Sequence, residues 1–141
     1  MGPRVLIADK LSPLAQQVFT DRKIEINVET GLSKEQLAEI IGDYDGLAVR
    51  SATKVTEKVL ANAGRLKVIG RAGIGVDNID VPAATAKGII VMNTPFGNSI
   101  TTAEHAISLL MALARQIPTA DRSTQAGKWE KSKFMGIEVT G

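Results

Sequence analysis

Short apolar runs alternate with segments of helical periodicity over the first two thirds of the chain. Five runs rich in β-branched and aliphatic residues have the length of single strands, at 4–8, 24–28, 46–49, 67–70 and 88–92. A helical segment with short links stands between each run and the next, which is typical of repeated βα units. The pattern therefore predicts an α/β domain with a mostly parallel, doubly wound sheet of about five strands.

Polar residues of the kind that begin helices precede four of the helical segments. They are Ser12 before a helix from Pro13, Ser33 before a helix to about residue 41, Thr56 before a helix to about residue 63, and Asp80 before a short helix at 82–87. Such side chains accept hydrogen bonds from the first free amides of a helix, and Gln36 has the spacing to complete a capping box with Ser33. We therefore expect each helix to begin close to these residues.

The pattern changes after the fifth strand. Residues 99–117 carry apolar side chains at helix spacing and predict one long helix that ends before Pro118. The rest of the chain mixes Trp129 with lysines and predicts an extended arm. We expect a binding domain at 1–98, a crossover helix at 99–120 and an arm at 121–141, and we interpret the abrupt end as a cut before a further domain.

Composition narrows the class of protein. A chain of 141 residues can bury roughly two thirds of its unfolded surface, so one ordinary domain needs no metal or disulfide to fold. The sequence has no cysteine, which excludes a disulfide framework, a thiolate zinc site and a cysteine nucleophile. A balance of 17 basic and 15 acidic residues does not favour nucleic acid, and no apolar run is long enough for a membrane span. We therefore expect a cytoplasmic protein that binds neither nucleic acid nor a membrane.

The candidate chemistry lies where the strands end, because open parallel sheets bind ligands outside the carboxyl ends of their strands. Arg50 follows the third predicted strand, and Arg71 with a glycine-rich loop follows the fourth. Two guanidinium groups at neighbouring strand ends can bind one small, doubly anionic organic acid. Gly73 and Gly75 allow backbone amides to turn inward as an anion-binding nest, and residues 98–99 stand at the start of the long helix.

Other interpretations of these residues stay open. Each arginine could instead pair with Asp9, Asp45 or Asp77. The glycines could begin a dinucleotide fingerprint, but its third glycine is replaced by Asn78 and no long helix follows. The only histidine, His105, has no second metal ligand or serine at a suitable spacing, which favours packing or an interface over catalysis.

No general acid and base pair adjoins the arginines, so we predict that this chain binds a ligand without converting it. We assign no catalytic residue and no metal site.

Four segments, in this order and spacing, carry a family resemblance: 49–55, 70–78, 91–99 and 127–130. Together they resemble the amino-terminal part of the D-isomer-specific 2-hydroxyacid dehydrogenases, and most closely those that act on phosphoglycerate. The resemblance implies a flavodoxin-like binding domain, a following Rossmann domain that binds most of the NAD, and a homo-oligomer formed through the arm. It also implies oxidation of 3-phospho-D-glycerate to 3-phosphohydroxypyruvate, the entry step of serine biosynthesis.

The resemblance also assigns roles to individual residues. Those expected to bind the substrate are Arg50, Ser51, Arg71, Gly73, Gly75, Val76, Asn98 and Lys131. Ile74 stands where relatives contact the cofactor, although as an apolar residue it cannot offer NAD a side-chain hydrogen bond. The family's catalytic arginine, glutamate and histidine are expected beyond Gly141, so the resemblance implies that this chain alone is inactive.

Three rival interpretations remain at this stage. The substrate could be another small 2-hydroxy acid, because two arginines would also accept glycerate or longer acids. A receiver-like signalling domain has the same number of βα units, but it needs a phosphate-accepting aspartate where this chain has Arg50. A plain ligand-binding or oligomerisation module is the third.

Overall fold

The structure is a computed structural model that describes residues 2–140, and it divides into two compact units, Met1–Gly97 and Asn98–Gly141. The first unit contains five strands: β1 (Arg4–Ile7), β2 (Glu25–Val28), β3 (Gly46–Val49), β4 (Val68–Arg71) and β5 (Ile90–Met92). They form one sheet in the order β2-β1-β3-β4-β5, and all neighbouring strands are parallel. This is the flavodoxin-like, doubly wound arrangement, so the predicted fold class is confirmed.

Four helices connect the strands: α1 (Pro13–Asp21), α2 (Lys34–Ile40), α3 (Glu57–Ala61) and α4 (Val81–Ala86), with a short 3-10 turn at Ile41–Asp43. Ser12 caps α1 by accepting a hydrogen bond from the Leu14 amide. The predicted capping box of Ser33 is present at α2. Asp80 accepts from the third amide of α4. Thr56 precedes α3 as predicted, but its side chain makes no capping hydrogen bond.

The two faces of the sheet differ in how they are covered. Leu47 and Val49 point to the face that packs against α2, α3 and α4, where the hydrophobic core lies. Ala48, on the opposite face of β3, lies beside α1 in an apolar trough of about 570 Å³ that also includes Gly70 and Met92. Alternate residues of one strand thus serve the two faces, as the strand period requires.

The second unit corrects the prediction of one long helix. Helix α5 covers Ser99–Ala114 and a separate helix, α6, covers Ile117–Gln125. The break is at Gln116, whose φ of 53° places it in the left-handed region. Pro118 therefore lies in the first turn of α6 instead of following the end of the helix. A proline is tolerated there because the first amides of a helix have no partner within the helix.

The arm is less extended than predicted. Residues 121–125 belong to α6, and a short 3-10 turn follows at Lys131–Lys133. The Ile137 amide then donates to the Ala114 carbonyl at 2.8 Å. Gly136, with φ +64°, approaches so closely that a Cβ would lie 2.5 Å from that carbonyl oxygen. The end of the arm is therefore held against the end of α5. No helix in the described part of the chain has the length and hydropathy of a membrane span.

We expect replacement of Gln116 by glycine to stabilise the protein by about 1 kcal/mol, because glycine adopts left-handed conformations without a Cβ penalty. The same change at Gln17, an exposed position inside α1, is the matched control and should destabilise by about 1 kcal/mol. Thermal denaturation followed by circular dichroism measures both. A loss of stability in the Gln116→Gly protein would contradict the left-handed assignment.

Candidate functional site

The two predicted arginines lie at the carboxyl edge of the sheet, on neighbouring strands. Val49 of β3 pairs with Arg71 of β4, so Arg50 follows the sheet residue that lies beside Arg71. Arg50 is exposed, and Arg71 is partly buried. The Arg50 guanidinium donates a long hydrogen bond of 3.5 Å to the Lys10 carbonyl. The topology thus brings Arg50, just after β3, and Arg71, the last residue of β4, to one edge.

The alternative that these arginines are neutralised by nearby acids is not supported. Within residues 2–140 neither guanidinium forms an ion pair. Asp9 does contact Arg50, but through the backbone amide and not through the guanidinium. The positive charge of both side chains therefore remains available to a ligand.

Asp45, a third acid that could have paired with them, lies at the amino edge of the sheet instead. Its carboxylate accepts from the Arg4 amide and pairs with Arg65 at 3.0 Å and with Lys67 at 3.6 Å. The hydrogen bond from the Arg4 amide, together with the two cations, lowers the pKa of this carboxyl group. Asp45 is thus engaged far from the site.

The side chain of Arg71 lies over its own glycine loop. A Cβ placed on Gly73 would overlap the Arg71 Nη1 atom, and one placed on Gly75 would lie 4.0 Å from it. The Nε atom of Arg71 is buried and has no hydrogen-bond partner among residues 2–140. A side chain at residue 73 would therefore have to displace the Arg71 guanidinium, which keeps hydrogen-bonding capacity for another group.

The main chain of this loop offers free donors. Two of its carbonyls are engaged, since the Thr94 amide donates to Gly73 at 3.0 Å and the Asn93 side chain donates to Ile74 at 2.7 Å. The Gly75 and Val76 amides donate to no acceptor within residues 2–140. Such a row of free amides beside a cation favours a carboxylate or phosphate.

A network of buried polar side chains supports both loops, and sequence reasoning missed it. Asp9, Thr53 and Asn78 are the buried polar residues of the described chain, each no more than 7% exposed. The Asp9 carboxylate accepts from the Arg50 and Thr53 amides and from the Thr53 hydroxyl. The Asn78 side chain donates to the Arg50 and Thr53 carbonyls, at 2.7 Å each. The available signal was a polar residue at the end of an apolar strand.

The remaining predicted residues lie in different places. Ser51 is exposed beside Arg50, and the side chain of Ile74 is 39% exposed in the glycine loop. Asn98 and Lys131 belong to the second unit, so their part in the site stays a prediction. His105 is exposed on α5, and no metal-binding cluster of acidic or histidine residues occurs among residues 2–140.

The glycine loop does not fit a dinucleotide. The next helix, α4, begins only at Val81 and has six residues, whereas a pyrophosphate site needs a helix that opens directly from the glycines. The side chain of Ile74 can offer NAD an apolar contact but no hydrogen bond. The glycine loop therefore lacks the helix that a site for dinucleotide phosphates requires.

The fold and this edge together define an open, parallel α/β domain with two arginines at the carboxyl ends of adjoining strands. Residues 5–135 match the model of the D-isomer specific 2-hydroxyacid dehydrogenase catalytic domain. The chain belongs to this family, which decides against the receiver-like interpretation.

Individual relatives agree with this assignment. The chain is 52% identical to a D-3-phosphoglycerate dehydrogenase of Archaeoglobus fulgidus over 98% of its own length and 26% of the relative's. A crystal structure from Pyrococcus horikoshii OT3 is similar with a TM-score of 0.86 and 35% identity, covering 98% of this chain and 43% of that one. NAD+-bound 3-phosphoglycerate dehydrogenase of Entamoeba histolytica is similar with a TM-score of 0.71 and 29% identity, covering 82% of this chain and 40% of that one. The chain thus spans about a quarter of the length of that curated relative.

We expect Gly73→Ala to weaken anion binding without unfolding the protein. The added methyl group would displace only the far end of the Arg71 side chain, and one charge-assisted hydrogen bond is worth about 1.5–3 kcal/mol. The dissociation constant for inorganic phosphate should rise at least about tenfold, measured from the amide NMR signals of residues 73–78. Gly64→Ala, where a Cβ would meet nothing within 4 Å, is the control. Equal affinity in the two variants would contradict this role of Arg71.

Proposed function

We propose that this chain is the substrate-binding part of an NAD-dependent dehydrogenase that oxidises 3-phospho-D-glycerate to 3-phosphohydroxypyruvate. The observation that carries the proposal is that Arg50 and Arg71, at adjoining strand ends, form no ion pair within residues 2–140. Relatives about half identical to this chain are D-3-phosphoglycerate dehydrogenases. We place the enzyme in the cytoplasm, at the entry to serine biosynthesis.

The chemistry of the substrate matches the donors at the edge. 3-Phosphoglycerate carries a carboxylate at one end and a phosphate at the other, and both are acceptor groups that arginine binds well. The free amides of Gly75 and Val76 suit the carboxylate, while the guanidinium groups of Arg50 and Arg71 face the carboxylate or the phosphate. Asn98 and Lys131 are proposed as further ligands from the second unit.

The chain would orient the substrate and leave its oxidation to residues outside this sequence. Its one histidine, His105, lies on α5 in the second unit. The acid nearest to Arg50, Asp9, uses its carboxylate to accept backbone amides. The solved relative from Entamoeba binds NAD+, and we propose that the parent enzyme binds NAD mainly through a separate Rossmann domain, with Ile74 giving only an apolar contact.

We further propose that the protein forms a homo-oligomer through its second unit. Every residue of α5 from Ser99 to Met111 is exposed, including Ile107 and Leu110. Trp129, in the arm, is 83% exposed. Large apolar side chains exposed in this number are typical of protein interfaces.

The assignment of the substrate predicts a specific order of affinities. The chain should bind 3-phosphoglycerate at least about tenfold more tightly than D-glycerate, because the phosphate adds charge-assisted hydrogen bonds. Arg50→Gln and Arg71→Gln should each weaken 3-phosphoglycerate binding by about ten- to hundredfold. Arg22→Gln, which removes an exposed arginine after α1, is the control.

Isothermal titration calorimetry measures all of these affinities. Equal binding of 3-phosphoglycerate and D-glycerate would show that the phosphate is not recognised, and tighter binding of D-glycerate would favour a dehydrogenase of another 2-hydroxy acid.

The isolated chain should produce no NADH from NAD+ and 3-phosphoglycerate. The catalytic arginine, glutamate and histidine that the family uses are expected outside this sequence. Absorbance of NADH over an extended incubation measures the reaction, and preparations of Arg71→Gln show whether any signal comes from a contaminating enzyme. NADH formation that the unsubstituted chain supports and Arg71→Gln abolishes would refute this part of the proposal.

A further inference from the structure

The Asp9 network holds the loop after β3 by its backbone on two sides. Asp9 Oδ2 accepts the Arg50 amide at 2.6 Å and the Thr53 amide at 3.2 Å. On the other side, Asn78 Nδ2 donates to the carbonyls of the same two residues at 2.7 Å. The backbone is therefore held at both ends of the loop, at Arg50 and at Thr53. The Arg50 and Ser51 side chains stay exposed.

The same network joins this loop to the glycine loop. Asn78 is the last residue of the glycine loop, and the Val55 amide donates to its carbonyl at 2.8 Å. Asp9 follows β1, so side chains from the ends of two strands and from one loop meet in a site shielded from water. Hydrogen bonds to a carboxylate are strong when buried. The network therefore bears on the spacing between Arg50, in one loop, and Arg71, whose side chain lies over the other.

We propose that Asp9 and Asn78 are positioning residues that set this spacing and thereby select an acid with a negative charge at each end. This inference rests on the proposed function, because it deepens the role of the same arginine site. An anion with a single charged group needs only one arginine. An acid with a charged group at each end needs both arginines at a fixed separation. The network should thus affect the preference between these ligands more than the affinity for a small anion.

The test compares the binding of 3-phosphoglycerate with that of inorganic phosphate in variants of the 141-residue chain. Asp9→Ala should weaken 3-phosphoglycerate binding at least about tenfold and phosphate binding by no more than about threefold. Asp9→Asn should recover most of the preference. Its oxygen can accept both amides, and its NH₂ group can donate to the Thr53 hydroxyl, which lies within hydrogen-bond distance of the Ala8 carbonyl at 3.3 Å.

Asp45→Ala is the matched structural control. Asp45 also accepts a backbone amide, that of Arg4, but it lies at the amino edge of the sheet. Its loss should lower the melting temperature and leave the ratio of the two affinities unchanged. If Asp9→Ala does not fold, Thr53→Val removes the hydroxyl that contacts Asp9 and the Ala8 carbonyl, keeps both amide hydrogen bonds to Asp9, and should lower the same ratio by about threefold.

The outcomes separate this inference from the proposed function. Should the unsubstituted chain bind malonate or tartronate more tightly than 3-phosphoglycerate, the substrate assignment fails. The ratio is then measured with that acid, and its fall in Asp9→Ala still supports the positioning role. Should Asp9→Ala lower stability like Asp45→Ala and leave the ratio unchanged, the positioning role is wrong even if 3-phosphoglycerate binds. A chain that binds no doubly charged acid would overturn both.

Discussion

The parallel register between β3 and β4 is the constraint on which the candidate site depends. Leu47 pairs with Ile69, and Val49 pairs with Arg71. Leu47 and Ile69 are both buried in the core, and a slip of one residue would turn one of these strands to the opposite face of the sheet. Hydrophobic burial on one face thus decides which residues of β3 and β4 lie side by side at the carboxyl edge of the sheet.

Polar groups at that edge fall into two kinds with different consequences. The buried ones are held mainly by the backbone: Asp9 accepts two amides and the Thr53 hydroxyl, and Asn78 donates to two carbonyls, while Asn78 Oδ1 has no partner among residues 2–140. Because the Asp9 carboxylate is engaged with amides, it does not form an ion pair with Arg50. The carboxyl edge therefore keeps two available cations, whereas at the amino edge the acid Asp45 is paired with cations.

Much of the fold could be predicted because its signals are local. The five strands lie within one or two residues of their predicted bounds, and the capping interactions of Ser12, Ser33 and Asp80 are present. The prediction was wrong where a local signal was ambiguous. Apolar periodicity continues across residues 115–117, but Gln116 adopts a left-handed conformation that ends one helix, and Pro118 suits the start of the next.

By itself, the sequence determined the fold class, the placement of Arg50 and Arg71 at the ends of adjoining strands, and a resemblance that the family match confirms. These follow from short-range periodicity and from the rule that parallel strands share a carboxyl edge. Only the tertiary structure decided how Asp9 and Asn78 hold the loops, and that Arg71 lies over Gly73. The hydrogen bonds of the network join residues 25 to 44 positions apart, and no local pattern in a sequence specifies partners at that distance.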